Sequence, residues 1–319
     1  MNFSGTTISQ LAIHFVGNKN SNALHLSGKP QNLEEELATK LLQYFLSSFD
    51  NATEKYVFTH AESLQYNEVY NYTGEIFAAK EDFITCSQRI ARHLFDRSDH
   101  PKIKPGELYI VHFKNIAVDD RLLEGVGIFK SENKSGFFEV NVSQEEQFSL
   151  SYKEGVPVNK IDRGCLVIND LKEPSLPVYI INNPSKQEEA WYWTGEFLQV
   201  KPAADNYHYT KNFLTVTKQF ITEHLADRED ISRMDQVKML DQSVNYFKEK
   251  EQFDIAEFNK QVFNDDKLIE SFQEYGTNYI HHNSLQLSDS FEINPAAVKK
   301  QSKIFKSVLK LDRNFHIYI

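Results

Sequence analysis

Six cations, Lys299, Lys300, Lys303, Lys306, Lys310 and Arg313, stand between Asn294 and Ile319 against a single acid, Asp312. That is about +5 locally, in a chain whose formal net charge is −10, so the remainder sums to about −15. Lys299, Lys303, Lys306 and Lys310 recur at i, i+4, i+7 and i+11, which on a helix draws them into one stripe. Ammonium groups so arranged can contact phosphates, giving affinity without sequence readout. A compact cationic strip on an anionic body would also focus attraction there and suppress sticking elsewhere. The plain alternative is the wet side of an ordinary terminal helix, with Val298, Phe305, Val308 and Leu309 packing inward.

Other chemistry is sparse. The chain has no G-x-S-x-G elbow, no phosphate-binding glycine loop, no H-E-x-x-H and no C-x-x-C. His281 and His282 are adjacent, so on a regular element they point to different sides, and a metal needs three or four converging ligands. Surface histidines are the expectation. Asp119-Asp120-Arg121 and Asp162-Arg163 fall at strand ends, where an acid pair could hold Mg²⁺; turn residues and surface ion pairs account for them more cheaply. His14 and His112 sit in strand patterns where a satisfied structural histidine fits. Cys86 and Cys165 suit small core residues better than nucleophiles. Trp191-Tyr192-Trp193 could stack bases, but no lysine or arginine is interleaved, and aromatics alternating across an edge strand are preferred. The residues call for no cofactor and no metal.

The elements that must carry these groups follow from periodicity. Ile8–Val16 and Ala23–Leu26 around Gly17-Asn18-Lys19-Asn20 predict a hairpin. Asn32 can cap a helix bearing Leu33, Leu37, Leu41, Phe45 and Phe49. A second helix spans Lys80–Phe95, burying Phe83, Ile84, Ile90, Ala91 and Leu94. Glu107–Val118, Leu123–Lys130, Gly136–Val142 and Ile161–Asn169 read as an antiparallel meander, with Val178–Ile181 a further strand. From Tyr209 the pattern turns helical, with Phe213, Val216, Phe220, Ile221 and Leu225 inward. Ser232–Asp235 and Asp254–Glu257 resemble capping boxes. Between Asp227 and Glu274 there are thirteen acids against seven bases. The expected fold is α+β: an N-terminal antiparallel sheet with flanking helices over residues 1–205, then a mainly helical region, 206–319. The second region carries the basic terminal helix and ends in a short strand at Phe315–Ile319.

At 319 residues, 40% hydrophobic and 25% charged, the chain suits a folded protein of two domains. No basic segment precedes an apolar run at the N-terminus, and no stretch approaches the roughly 18 apolar residues of a membrane span. Two distant cysteines fit a reducing cytoplasm. The acidic total is unsuited to coating DNA over the whole surface, which leaves only a local patch for nucleic acid.

Diffuse similarities run over nearly the whole length. Ile8-Ser9-Gln10-Leu11-Ala12-Ile13-His14 matches an opening I-x-Q-x-A-I/L-H strand. Gly106–Phe113 through Ile116–Val118, Leu122–Phe129 and Val158–Arg163 resemble further family strands, and Lys303–Lys306 with Leu311–Ile319 resembles its closing helix and strand. On these the chain resembles the bacterial 37-kDa nucleoid-associated protein family (NdpA-like). The resemblance implies a cytoplasmic, nucleoid-localised, nonenzymatic protein that associates with DNA and with a DNA-topology enzyme, without catalytic residues to carry over. Members usually continue past the last strand through a turn into another, so the sequence is expected to be truncated after Ile319. The partners expected are DNA, bound nonspecifically through Lys299, Lys300, Lys303, Lys306, Lys310 and Arg313, a DNA-topology enzyme, and a second copy in a homodimer; no membrane is expected. The rivals are recruitment by a protein partner through the acidic helices and, at a distance, an Mg²⁺-dependent nuclease or phosphoesterase.

Overall fold

The run Leu108-Tyr109-Ile110-Val111-His112-Phe113 is apolar on both faces, and both faces are covered. In a computed structural model of the chain, which describes residues 1–50, 52–142, 148–173, 175–182, 191–226, 228, 230–283, 285 and 287–308 (side chains at 182 and 306–308 excepted), the run lies at the heart of an eight-stranded antiparallel sheet. The chain divides into two units, Met1–Pro202 and Ala203–Ile319.

In the first unit, β1 (Thr7–Val16) turns back into β2 (Leu24–His25) as the hairpin pattern predicts. α1 (Glu35–Leu46) and β3 (Tyr56–Phe58) follow, then α2 (Glu68–Phe77) and α3 (Phe83–Asp96). β4 (Gly106–Val118) and β5 (Arg121–Ser131) form the longest ladder. Next come β6 (Ser135–Val142), β7 (Phe148–Gly155), β8 (Arg163–Ile168), β9 (Pro177–Asn182) and β10 (Val200–Pro202). The sheet order is β10-β3-β9-β8-β5-β4-β1-β2. Side chains alternate across each strand, so Leu108 and Ile110 pack with α2 and α3 while Tyr109, Val111 and Phe113 pack with Phe45 of α1. All five inward residues expected of α3 are buried, and Asp82 caps it by accepting the Thr85 N–H at 3.1 Å.

Four expectations need correction. α1 is capped by position at Glu34 without a side-chain bond, not by Asn32, because the Gln31 N–H is tied to the Leu11 carbonyl at 2.8 Å and holds the segment extended. A strict four-residue repeat drifts roughly 40° per step on a 3.6-residue helix, and Leu37 is accordingly 49% exposed while Phe45 and Phe49 are buried. The meander breaks after β5: that edge is taken by β8, every residue of which is buried, and β6 pairs with β7 in a separate two-stranded sheet. Trp191-Tyr192-Trp193 enters a helical turn rather than an edge strand. Trp193 and Phe197, four apart, bury together with ring centroids 4.9 Å apart, while Trp191 is exposed.

The second unit is helical: α4 (Asn206–Gln219), α5 (Arg233–Glu249), α6 (Ile255–Val262), α7 (Asp266–Asn283) and α8 (Pro295–Val308), joined by a ladder of β11 (Gln252–Asp254) and β12 (Ser290–Glu292). Its core is aromatic, with Phe253 stacked on Phe291 at 4.6 Å and on Phe247 at 5.3 Å. Phe213, Val216, Phe220, Ile221 and Leu225 are all buried in it. The Ser232 capping box closes in both directions. At Asp254 only half of it forms: Asp254 accepts the Glu257 N–H, but the Glu257 carboxylate instead takes the Lys250 ammonium at 2.6 Å and the Tyr246 hydroxyl at 3.2 Å. The strand expected at Phe315–Ile319 lies outside the described residues.

Candidate nucleic-acid interface

α8 is built to present one wet face. Asn294 starts it, its side-chain oxygen accepting the Ala296 and Ala297 N–H groups at 3.0 and 3.2 Å, and Pro295 takes the first helical position, where a missing N–H is harmless. The Asn294 N–H donates in turn to the buried Thr210 hydroxyl of α4 at 3.0 Å, which fixes the entry of the helix. Ala297, Val298, Gln301 and Phe305 are buried where α8 packs on α4 and α5. The opposite side is where the lysines fall.

Of the six predicted cations, Lys299, Lys300 and Lys303 are exposed on α8. Lys306 belongs to the helix, but its side chain is outside the description; Lys310 and Arg313 lie wholly outside the described residues, as does the Leu309 expected to pack inward. Among the described residues no carboxylate reaches the Lys299 or Lys303 ammonium within ion-pair distance. Both line a groove of about 890 Å³ between the start of α8 and the segment Phe247–Gln252. Lys248, Glu249, Glu251 and Glu292 line it as well. Away from α8 its lining therefore mixes three carboxylates with two lysines, a feature invisible in a count of charges along the tail. Lys250 also lines it, but its ammonium is committed to Glu257, whose carboxyl it holds below the usual carboxylate range.

The remaining candidates resolve into structure. His281 and His282 are exposed on α7, and His282 Nδ1 lies 2.8 Å from its own helix's Asn278 carbonyl. Among the described residues no three His, Cys, Asp or Glu side chains converge as metal ligands. Asp119 takes a left-handed turn conformation between β4 and β5, and Arg121 pairs with Asp170 through two bonds of 2.5 and 2.7 Å. His14 is buried and satisfied on both nitrogens: the Ser27 N–H donates to Nδ1 at 3.1 Å, so Nε2 carries the proton toward the Ser87 hydroxyl at 3.1 Å. His112 meets Glu124 at 3.0 Å. Cys86 and Cys165 are fully buried.

Asp162-Arg163 departs from expectation, because it is buried and not a surface pair. Arg163 Nε donates to Glu132 Oε1 at 3.1 Å, the buried Lys130 ammonium approaches the same oxygen at 3.2 Å, and the Tyr192 hydroxyl donates to it at 2.7 Å. Lys130 also donates to the Lys104 carbonyl at 2.7 Å, and burial lowers its proton affinity. Asp162 accepts the Glu132 N–H, the Asn133 N–H and the Asn133 amide at 2.7, 3.1 and 2.7 Å. The cluster has two cations and two anions with their donors placed, so it works as a buried clamp on the segment joining β5 to β6. Nothing in the sequence separates it from surface charge, since Lys130 and Glu132 sit at the end of an ordinary strand pattern.

The class of protein these features define is a two-unit α+β protein with a lysine-faced helix in its second unit. The family described as nucleoid-associated protein YejK matches residues 12–318, and the chain belongs to that family. No curated protein matches the chain. No helix among the described residues is long and apolar enough to cross a membrane.

Proposed function

We propose that the protein is a nonenzymatic component of the bacterial nucleoid, resident in the cytoplasm, that associates with DNA through the strip Lys299, Lys300, Lys303, Lys306, Lys310 and Arg313. Membership of a nucleoid-associated family supports this. So does the exposure of Lys299 and Lys303 on one face of α8 without a carboxylate partner among the described residues. Lysine ammonium groups displace condensed counterions from the phosphate backbone, so binding is nonspecific and falls steeply with salt. The reading includes a homodimer, which would present two strips and raise retention by avidity.

Replacing Lys299, Lys303, Lys306 and Lys310 together with glutamate tests the strip in a salt titration of DNA retention. Loss of binding, with the salt slope reduced by up to about 4, is expected. Unchanged binding by a folded variant overturns it.

A second reading rests on Asp266, Glu270 and Glu274, exposed at i, i+4 and i+8 on α7. That acidic stripe suits a basic partner already on the DNA, such as a DNA-topology enzyme. It predicts no DNA retention by the pure protein at physiological salt, with co-purification of that enzyme lost on charge reversal of the stripe.

A further inference from the structure

The hairpin of β6 and β7 carries an uncovered apolar face. Its register pairs Phe138 with Tyr152, Val140 with Leu150 and Val142 with Phe148, and residues paired across strands share a side of the sheet. These six side chains are 60–76% exposed. The other side bears Phe137, itself half exposed, and then Glu139, Asn141, Ser149, Ser151 and Lys153, with Glu139 and Lys153 in an ion pair at 2.6 Å. The Phe138 side is thus hydrocarbon and rings over its length, and its polar groups, the Tyr152 hydroxyl and Glu154, meet each other at 3.3 Å toward the root. A two-stranded sheet standing alone is marginally stable in water, yet this one is tied down at its root. The buried Glu132 and Asp162 cluster fixes its first linking residues, and Lys134 pairs with Glu107 of β4 at 2.9 Å.

We propose that this face docks against the same face of a second copy of the chain, forming a four-stranded, two-layer sandwich around a twofold axis. The proposal assigns a surface to the homodimer included above and rests on that part of the reading alone; it does not depend on the lysine strip touching DNA. Scaled from the ~150–250 Å² of an aromatic side chain, the six residues expose roughly 700 Å² per chain. Each partner of a standard stable interface buries roughly 800 Å². The chemistry also selects the occupant. No lysine or arginine lies on the face to recognise phosphate or anionic lipid, which argues against nucleic acid and membrane. Its one charged position, Glu154 opposite Gly136, is at the root. In an antiparallel twofold pairing the two Glu154 side chains lie at opposite ends, so no like charges meet and the apolar rows interleave at the ~10 Å spacing of packed sheets.

The test is the mass of the full chain in solution by light scattering, at roughly micromolar protein, where an interface of this size is populated. The expected result is two chains for the native protein and one chain for the Val140→Glu, Leu150→Glu double variant, with unchanged circular dichroism. A second pair of variants keeps the face apolar. Val140→Cys should be joined into a covalent dimer by a maleimide linker of about 10 Å, whereas Glu139→Cys, on the far side of the same strand, should not. A single-chain mass for the native protein overturns the proposal, as does a dimer that survives the double variant or cross-links equally through Glu139→Cys. The four-lysine variant should keep the two-chain mass, so failure of the dimer and failure of DNA contact register separately.

Discussion

The Phe129 ring lies nearly parallel to Phe45, with centroids 4.6 Å and planes 19° apart, bringing a strand and a helix of the first unit into contact. The room for the stack is left by Gly127, two residues earlier on the same face of β5. A methyl group built there would collide with the Phe129 ring and stand 2.7 Å from a carbon of Phe113. Both rings are fully buried in a close-packed core, so any retreat must displace their neighbours. Gly127→Ala should therefore destabilise the first unit by about 1–3 kcal/mol, despite the usual benefit of alanine over glycine in regular structure. A chemical melt of the variant showing equal or greater stability would contradict this packing.

His14 links the same unit to pH. Burial lowers it from its ordinary 6.5 to about 4, since charging it would strip water from an imidazolium with only Ser87 and the Ser27 N–H nearby. Between those two values the unfolded chain binds a proton that the folded chain refuses. Stability is then full above pH 6.5 and falls as pH drops toward 4, by on the order of 3 kcal/mol at most. His14→Gln should cost baseline stability but flatten this slope. His93, lowered mainly by burial, keeps a share of it. Urea melts at pH 5 and pH 7 measure the difference, and an unflattened slope in the variant removes His14 as its source.

The sequence made legible what rests on local periodicity. α3 shows its inward residues at helical spacing, β4 and β5 show long apolar runs with a turn between them, and Ser232 and Asp235 announce a helix start. Sequence could not choose between two neighbours for one edge. β6 and β8 both read as strands after β5, and only the tertiary competition gives the edge to β8, whose residues are all buried, its run from Cys165 to Ile168 apolar toward both faces. The same limit hid the Glu132 cluster, since Lys130, Glu132, Asp162 and Arg163 look like surface charge until β8 pairs with β5. Lys299 and Lys303 are readable as a strip because a helix repeats locally, but the mixed charges that face the same groove, Lys248, Glu249, Lys250, Glu251 and Glu292, come from a segment more than forty residues earlier and from β12.

Both cysteines should be silent toward thiol reagents in the native protein. The thiolate is the reactive species, and burial with the neighbouring Glu75 carboxylate pushes Cys86 up to about 12, while burial alone pushes Cys165 up. Ellman's reagent at pH 8 is expected to label neither until denaturant opens the first unit, then both. Labelling of one thiol in the folded state at the rate of a free thiol would show that its burial is transient.

The Glu132 cluster predicts an asymmetry between its members. Glu132 Oε1 accepts from Tyr192 and Arg163 and balances Lys130, so Glu132→Gln leaves two buried cations with Asp162 as the remaining acid. Removing one partner of a buried pair typically costs about 3–5 kcal/mol, because the charge left behind is uncompensated. Lys130→Met is different. It removes a cation whose charging burial already disfavours, keeps most of the volume, and leaves Glu132 paired with Arg163. Its cost should be less than half that of Glu132→Gln, a loss of packing and of one bond to the Lys104 carbonyl. Paired denaturation curves of the two variants decide the point: equal costs would mean that the cluster is held together by shape and not by the carboxylate at its centre.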